Sequence, residues 1–280
     1  MINFNGTLVS EEESKITTHN RGLNYGDAAF ETLKYSGGKV LFWEDHYFRL
    51  MATMRIMRME IPMSFTPEYL ENQILELVNA NGLNSESARI KLLVVRTADG
   101  LYKPENQDVE FYIWAKPLEK AYYEIKPDEY VVDLYKDYYI APGLLSTLKS
   151  NNKLINVIGS IYAEEQGLSN CLLLNTNKMV IESLNSNLFL VFGNKVKTPP
   201  LSDGCLKGVM RKQIMDILDS MEDFELIEES VSPFELQKAD EMFLTNVISG
   251  IIPVSQYRKK AYNKDLSKVL TEALNTKIRD

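Results

Sequence analysis

Short strand-like runs closed by tight turns constrain this 280-residue chain more than any other feature. Residues 30–35 (FETLKY) lead through Ser36-Gly37-Gly38 into 39–43 (KVLFW), which reads as a β-hairpin. Residues 171–174 and 179–182 flank Asn175-Thr176-Asn177, and 188–192 and 195–198 flank Gly193-Asn194, so two more strand pairs are expected. Residues 88–95 (ARIKLLVV) and 109–115 (VEFYIWA) are strand-like around a polar loop over 96–108, and 130–140 and 241–245 add further strands.

Helical spacing interrupts these runs. It covers 46–57 with Asp45 as N-cap, 67–80 with Thr66 as N-cap and Pro67 in its first turn, and 152–166 up to Gly167. It returns over 209–218 and 265–278. The pattern predicts an α+β chain of two lobes: a smaller one over 1–115, a link over 116–126 with turn-prone edges, and a larger one over 127–280.

Composition narrows the function classes. A net charge of −8 disfavours non-specific contact with phosphate backbones, yet leaves room for a local cationic pocket. No apolar run approaches the roughly 20 residues of a membrane span. The start of the chain turns acidic at once, unlike a signal peptide. Two cysteines and two histidines are too few for a disulfide framework or most metal sites, so a reducing cytoplasm is expected and no metal.

Four groups stand out as more than structure. Lys149 is expected just before a helix start, where the positive end of the helix disfavours a cation. An isolated lysine there is more often solvated; the alternative is an amine of lowered proton affinity that attacks a carbonyl. Lys153 competes on composition, but it falls in the expected helix and reads as surface. Glu182 ends an apolar strand ahead of small polar residues, and a buried acid there would need a partner. Gly208 precedes a helix whose first N–H groups would suit a phosphate, a weak signal by itself. Arg49 lies among apolar neighbours on a helix, where it either snorkels or meets an anion.

In order, the segments 20–32 (NRGLNYGDAAFET), 46–50 (HYFRL), 148–157 (LKSNNKLINV), 182–189 (ESLNSNLF), 208–211 (GVMR), 239–246 (ADEMFLTN) and 251–254 (IIPV) resemble the class IV aminotransferases, the fold-type IV pyridoxal-phosphate enzymes. The resemblance runs from about residue 3 to the end in one register. It implies pyridoxal 5'-phosphate as cofactor, Lys149 in the larger lobe as the Schiff-base lysine, and Glu182 as partner of the pyridine nitrogen. It further implies phosphate contacts from Arg49, the backbone at Val209 and Met210, and the Asn246-Val247 turn. A homodimer acting on a small-molecule amine is expected, with the cofactor between the lobes and no nucleic acid or membrane as partner.

Met210, and Ala239 to Met242 followed by Asn246, look like aminodeoxychorismate lyases, with Thr32 near the reacting carbons. Leu101 stands where an arginine often reads the substrate carboxylate, which leaves Arg96, Lys103 and Arg21 as candidates. A branched-chain or D-amino-acid transaminase is the alternative, and a non-catalytic binding or dimerisation relative is a remote one.

Overall fold

A computed structural model describes residues 1–126 and 128–279. Pro127 and Asp280, the two ends expected for the larger lobe, lie outside the described residues. The chain forms two compact units, Met1–Tyr122 with Lys149–Asn152, and Tyr123–Leu148 with Lys153 onward.

The first unit is one antiparallel sheet with helices on a face. Its elements are β1 (Ile2–Phe4), β2 (Thr7–Val9), α1 (Arg21–Tyr25), β3 (Ala28–Ser36), β4 (Lys39–Val40), α2 (Trp43–Ile56), α3 (Pro67–Ala80), β5 (Ser87–Arg96) and β6 (Val109–Leu118). The strand order is β2-β1-β6-β5-β3-β4. Alternation along the strands sends Leu33, Ile90, Leu92 and Ile113 to the face covered by Leu50 and Met54 of α2 and by Leu70, Ile74 and Leu77 of α3. Thr66 caps α3 as expected, its hydroxyl accepting from Tyr69 N at 3.1 Å.

Asp45 does not cap α2. The chain turns through Phe42 in the left-handed region (φ 56°), Trp43 starts the helix, and Glu44 and Asp45 fall in its first turn, where the dipole favours acids. That turn shortens the strand expected over 39–43 to Lys39–Val40.

The second unit holds β7 (Val131–Ile140), a 3-10 turn (Leu144–Thr147), α4 (Leu154–Glu165), β8 (Asn170–Asn175), β9 (Val180–Ser183), β10 (Asn187–Phe192) and β11 (Lys195–Thr198). It continues with α5 (Val209–Asp219), β12 (Glu225–Glu228), β13 (Glu241–Asn246), β14 (Gly250–Pro253), β15 (Gln256–Tyr257), β16 (Lys260–Ala261) and α6 (Asp265–Arg279). Both expected strand pairs, β8–β9 and β10–β11, are antiparallel, whereas β7–β8, β11–β12 and β7–β15 are parallel. Glu241, buried at the start of β13, accepts from Leu266 N at 3.0 Å and Ser267 N at 2.8 Å and so closes the N-terminus of α6.

The first change of unit, between Tyr122 and Tyr123, falls inside the link expected over 116–126. β6 runs through Leu118, and the first unit extends to Tyr122. Lys149, expected in the larger lobe, packs with the first unit. Its segment is a strand fragment: Phe30 N donates to Lys149 O (2.9 Å), Asn151 N donates to Ala28 O (3.0 Å), and Ala29 bridges Ser150. The helix expected from Asn152 therefore starts at Leu154, with Lys153 as its half-buried N-cap residue rather than a surface residue one turn inside. Among the described residues no helix is long and apolar enough to cross a membrane.

Candidate functional site

In the first unit the pairing with β3 fixes the Lys149 backbone, and its amine lies over the ring of Phe30, 4.7 Å from the centroid. Thr32, two residues along β3, shares the Phe30 face of the strand. Opposite Thr32 on β5 is Lys91, whose amine lies 4.7 Å from the Phe30 centroid and 5.1 Å from that of Trp114. Burial pulls the proton affinity of Lys91 down, and the charge of Arg89 adds to this.

Arg49 is not a solvated arginine. Its Nε donates to Glu31 Oε1 at 2.7 Å, and its Nη2 donates to Glu31 Oε2. His46 Nδ1 lies 2.7 Å from the same Oε2. Burial alone would raise the Glu31 pKa, but the charge and hydrogen bonds of Arg49, with the hydrogen bond from His46, hold it at about 2. An ionised carboxylate only accepts, so Nδ1 of His46 carries the proton. Burial pushes the His46 pKa down, the charges of Arg49 and Lys149 push the same way, and Glu31 pulls it up. The imidazole is therefore neutral, and its Nε2 is buried with no hydrogen-bond partner.

Two of the three carboxylate-reading candidates serve the scaffold instead. Arg21 Nε and Arg96 Nε both donate to Asp27 Oδ2 at 2.9 Å. Arg21 also donates to the carbonyls of Gly100 (3.1 Å), Leu101 (2.7 Å) and Tyr102 (3.3 Å), and Arg96 to those of Arg58 (3.0 Å) and Met57 (2.6 Å). Both are buried, so they hold the loop that carries the exposed Leu101 rather than meeting a ligand from solvent.

In the second unit Glu182 sits on β9 opposite Asn187 of β10. Its Oε2 accepts from Leu206 N at 2.9 Å and faces Asn187 Nδ2 at 3.5 Å. Asn187 Nδ2 also donates to Leu206 O at 2.9 Å, so strand and loop hold the acid from two sides. Two residues beyond Leu206, Gly208 begins α5 with no side-chain cap on its first amides, which include those of Val209 and Met210. Gly208 is there for space: a Cβ would stand 1.9 Å from Asn187 Oδ1, while its φ of −72° suits any residue. The Asn246 side chain builds its own turn, Oδ1 accepting from Ile248 N (3.0 Å) and Ser249 N (2.8 Å) and Nδ2 donating to Ser186 Oγ (2.9 Å). Val247 O accepts from Tyr123 Oη at 2.8 Å.

Burial raises the thiol pKa of Cys171 to about 11 and of Cys205 to about 12, so neither is a ready thiolate. Sequence reasoning passed over Glu31, Asn187 and the Leu206 amide. Only Glu31 left a signal, an acid on the apolar face of a strand between Ala29 and Leu33.

The first unit thus presents a lysine from an edge segment, and the second holds a clamped acid and a helix N-terminus without a side-chain cap. The sequence matches the amino-transferase class IV family over residues 28–257, and the chain belongs to that family. A Methanocaldococcus jannaschii protein provisionally named a branched-chain-amino-acid aminotransferase is 28% identical over 100% of this chain and 95% of its own length. An aminodeoxychorismate lyase of Vibrio harveyi is 26% identical over 87% of this chain and 88% of its own. Among solved structures, a branched-chain aminotransferase from Thermobaculum terrenum in its PLP form has a TM-score of 0.87 at 20% identity, covering 99% of this chain and 92% of that one. The fold is thus that of the family's transaminases.

Proposed function

We propose that the chain is a pyridoxal-phosphate enzyme acting on a small amine that carries a carboxylate, and first of all a 4-amino-4-deoxychorismate lyase that releases 4-aminobenzoate and pyruvate. The observation that carries this reading is the Lys149 amine over Phe30 with the Thr32 hydroxyl on the same face of β3. The residues fit the cofactor chemically: an amine for its aldehyde, a held carboxylate for its ring nitrogen, and amides at an α5 N-terminus kept open by Gly208.

In this reading Lys149 holds the cofactor covalently, and Glu182 pairs with the pyridine nitrogen. Arg49, the Val209 and Met210 amides and the Asn246-Val247 turn bind the phosphate. When bound, the cofactor supplies an aldehyde that exchanges amines and a ring that draws electrons from the amine-bearing carbon. With the cofactor in place, Lys149 Nζ would take the proton from the amine-bearing carbon of the substrate and return one to the departing enolpyruvyl group. The C–O bond breaks, pyruvate leaves and the ring becomes aromatic. Thr32 is the hydroxyl we place beside the reacting carbons. The chain acts as a homodimer in the cytoplasm, in keeping with two unpaired, buried cysteines.

Transamination of an amino acid is the second reading, favoured by the end-to-end correspondence with the archaeal relative. There Lys149 moves a proton from the substrate α-carbon and no C–O bond breaks.

Purified protein should be yellow, and borohydride should fix the cofactor on the peptide containing Lys149. Label on Lys153, or a colourless protein that takes up no added cofactor, overturns the reading. Aminobenzoate formed from aminodeoxychorismate without exchange between an amino acid and 2-oxoglutarate supports the lyase; exchange alone supports the transaminase.

A further inference from the structure

We propose that Glu31 and His46 are positioning residues that aim Arg49 at the phosphate of the cofactor, so that the phosphate is read by direction as well as by charge. The inference rests on the reading of Arg49 as a phosphate ligand and deepens it.

Three observations carry it. Glu31 lies inside β3, 1% exposed, at a position whose neighbours on the same face, Ala29 and Leu33, are both apolar. A hydrophobic residue there would cost the fold little, because buried ion pairs seldom outdo well-packed apolar side chains. The acid therefore marks a demand for geometry rather than stability. Second, Glu31 grips Arg49 through Nε and Nη2 together, which fixes both the plane and the direction of the guanidinium. Third, the acid is itself held: His46 Nδ1 lies 2.7 Å from Oε2, and residues 46 and 49 are neighbours on one face of α2. His46 is fully buried, yet its Nε2 has no partner, so the ring is there for the one bond it gives Glu31. A cation on a long flexible stem loses rotamer freedom when it binds an anion; a clamped one has lost it already.

The test compares equilibrium affinities of the full-length protein, stripped of cofactor, for pyridoxal 5'-phosphate and for pyridoxal without the phosphate. Inorganic phosphate serves as competitor. Glu31→Gln is expected to reduce the preference for the phosphorylated form by about tenfold or more, by analogy with the loss when the hydrogen-bond partner of a metal-binding side chain is removed. Affinity for pyridoxal should stay within about twofold of wild type, and competition by inorganic phosphate should weaken in parallel. Glu31→Asp should recover part of the preference. His46→Asn, which keeps a donor where Nδ1 stood, should retain it, and His46→Leu should not.

A merely structural role would lower both affinities together, and that result overturns the proposal. So does a wild-type preference in Glu31→Gln while Arg49→Met loses it, an outcome that leaves Arg49 as phosphate ligand intact. If Arg49→Met itself keeps the wild-type preference, the underlying reading of Arg49 fails and the inference goes with it. Should Glu31→Gln lose its cooperative melt, Glu31→Asp and His46→Leu decide the matter, and wild-type preference in both overturns it.

Discussion

Asp27 shows how one residue decides what its neighbours are free to do. It accepts from Arg21 and Arg96 at once, and those two cations, open candidates for a substrate carboxylate when read from sequence, become rivets for the loop ending β5. Arg21 lies only six residues from Asp27, but Arg96 is brought to it by the register of β3 with β5, which sequence alone does not signal. Glu31 has the opposite history: its place on an apolar strand face was visible, and its partners were not. The Glu31–His46–Arg49 cluster also sets an acid limit. Glu31 has a folded pKa of about 2 against 4.5 unfolded, so its stabilising contribution is complete above about pH 4.5 and is lost as pH falls towards 2. His46, also shifted down, acts in the same sense from about pH 6.5 downward. Wild type should therefore lose stability on acidification, on the order of 3 kcal/mol from Glu31 alone. Urea melts between pH 7 and pH 3 would show roughly 2 kcal/mol of this, the rest being lost below pH 3, and Glu31→Gln should flatten the slope. An unchanged slope in that variant would refute the assignment.

Elements were legible wherever local chemistry closes them. α3 begins at Pro67 because Thr66 and Pro67 satisfy and pre-set its first turn, and the β8–β9 and β10–β11 turns follow from their Asn and Gly residues. Starts that depend on a left-handed residue, such as Phe42 ahead of α2, were displaced, since nothing local prescribes a positive φ at a phenylalanine. Gly208 was flagged as an opener for α5, but its reason is steric and comes from β10. Gly208→Ala would drive a methyl into Asn187, which holds both the Glu182 carboxylate and Leu206. We expect a loss of about 2 kcal/mol, typical of overpacking, together with weaker cofactor uptake. Denaturant melts and cofactor titration measure the two effects. A stable variant with normal uptake would show that Asn187 moves aside without consequence.

At the scale of the whole molecule the chain crosses between its units more often than a link over 116–126 implies. It leaves the first unit after Tyr122, returns for Lys149–Asn152, and leaves again. That brief return places the lysine on β3 through two backbone hydrogen bonds. Asn151→Pro removes the N–H that donates to Ala28 O. It should cost about 1 kcal/mol for the lost bond, preserve the far-UV circular dichroism and abolish borohydride labelling at Lys149. Labelling at the wild-type level would mean that the strand fragment does not position the amine.

The sequence by itself determined the periods of the strands and helices, most of their turns and the identities of the chemical groups, because these rest on contacts between near neighbours in the chain. It also carried the family, through motifs kept in one order. Only the tertiary structure decided which unit owns Lys149, which arginines are consumed by Asp27 and why Gly208 must be glycine. Lys149, Arg96 and Gly208 meet Phe30, Asp27 and Asn187 across twenty or more positions, and Arg21, though six residues from Asp27, is completed by carbonyls about eighty residues away; no local preference encodes these meetings.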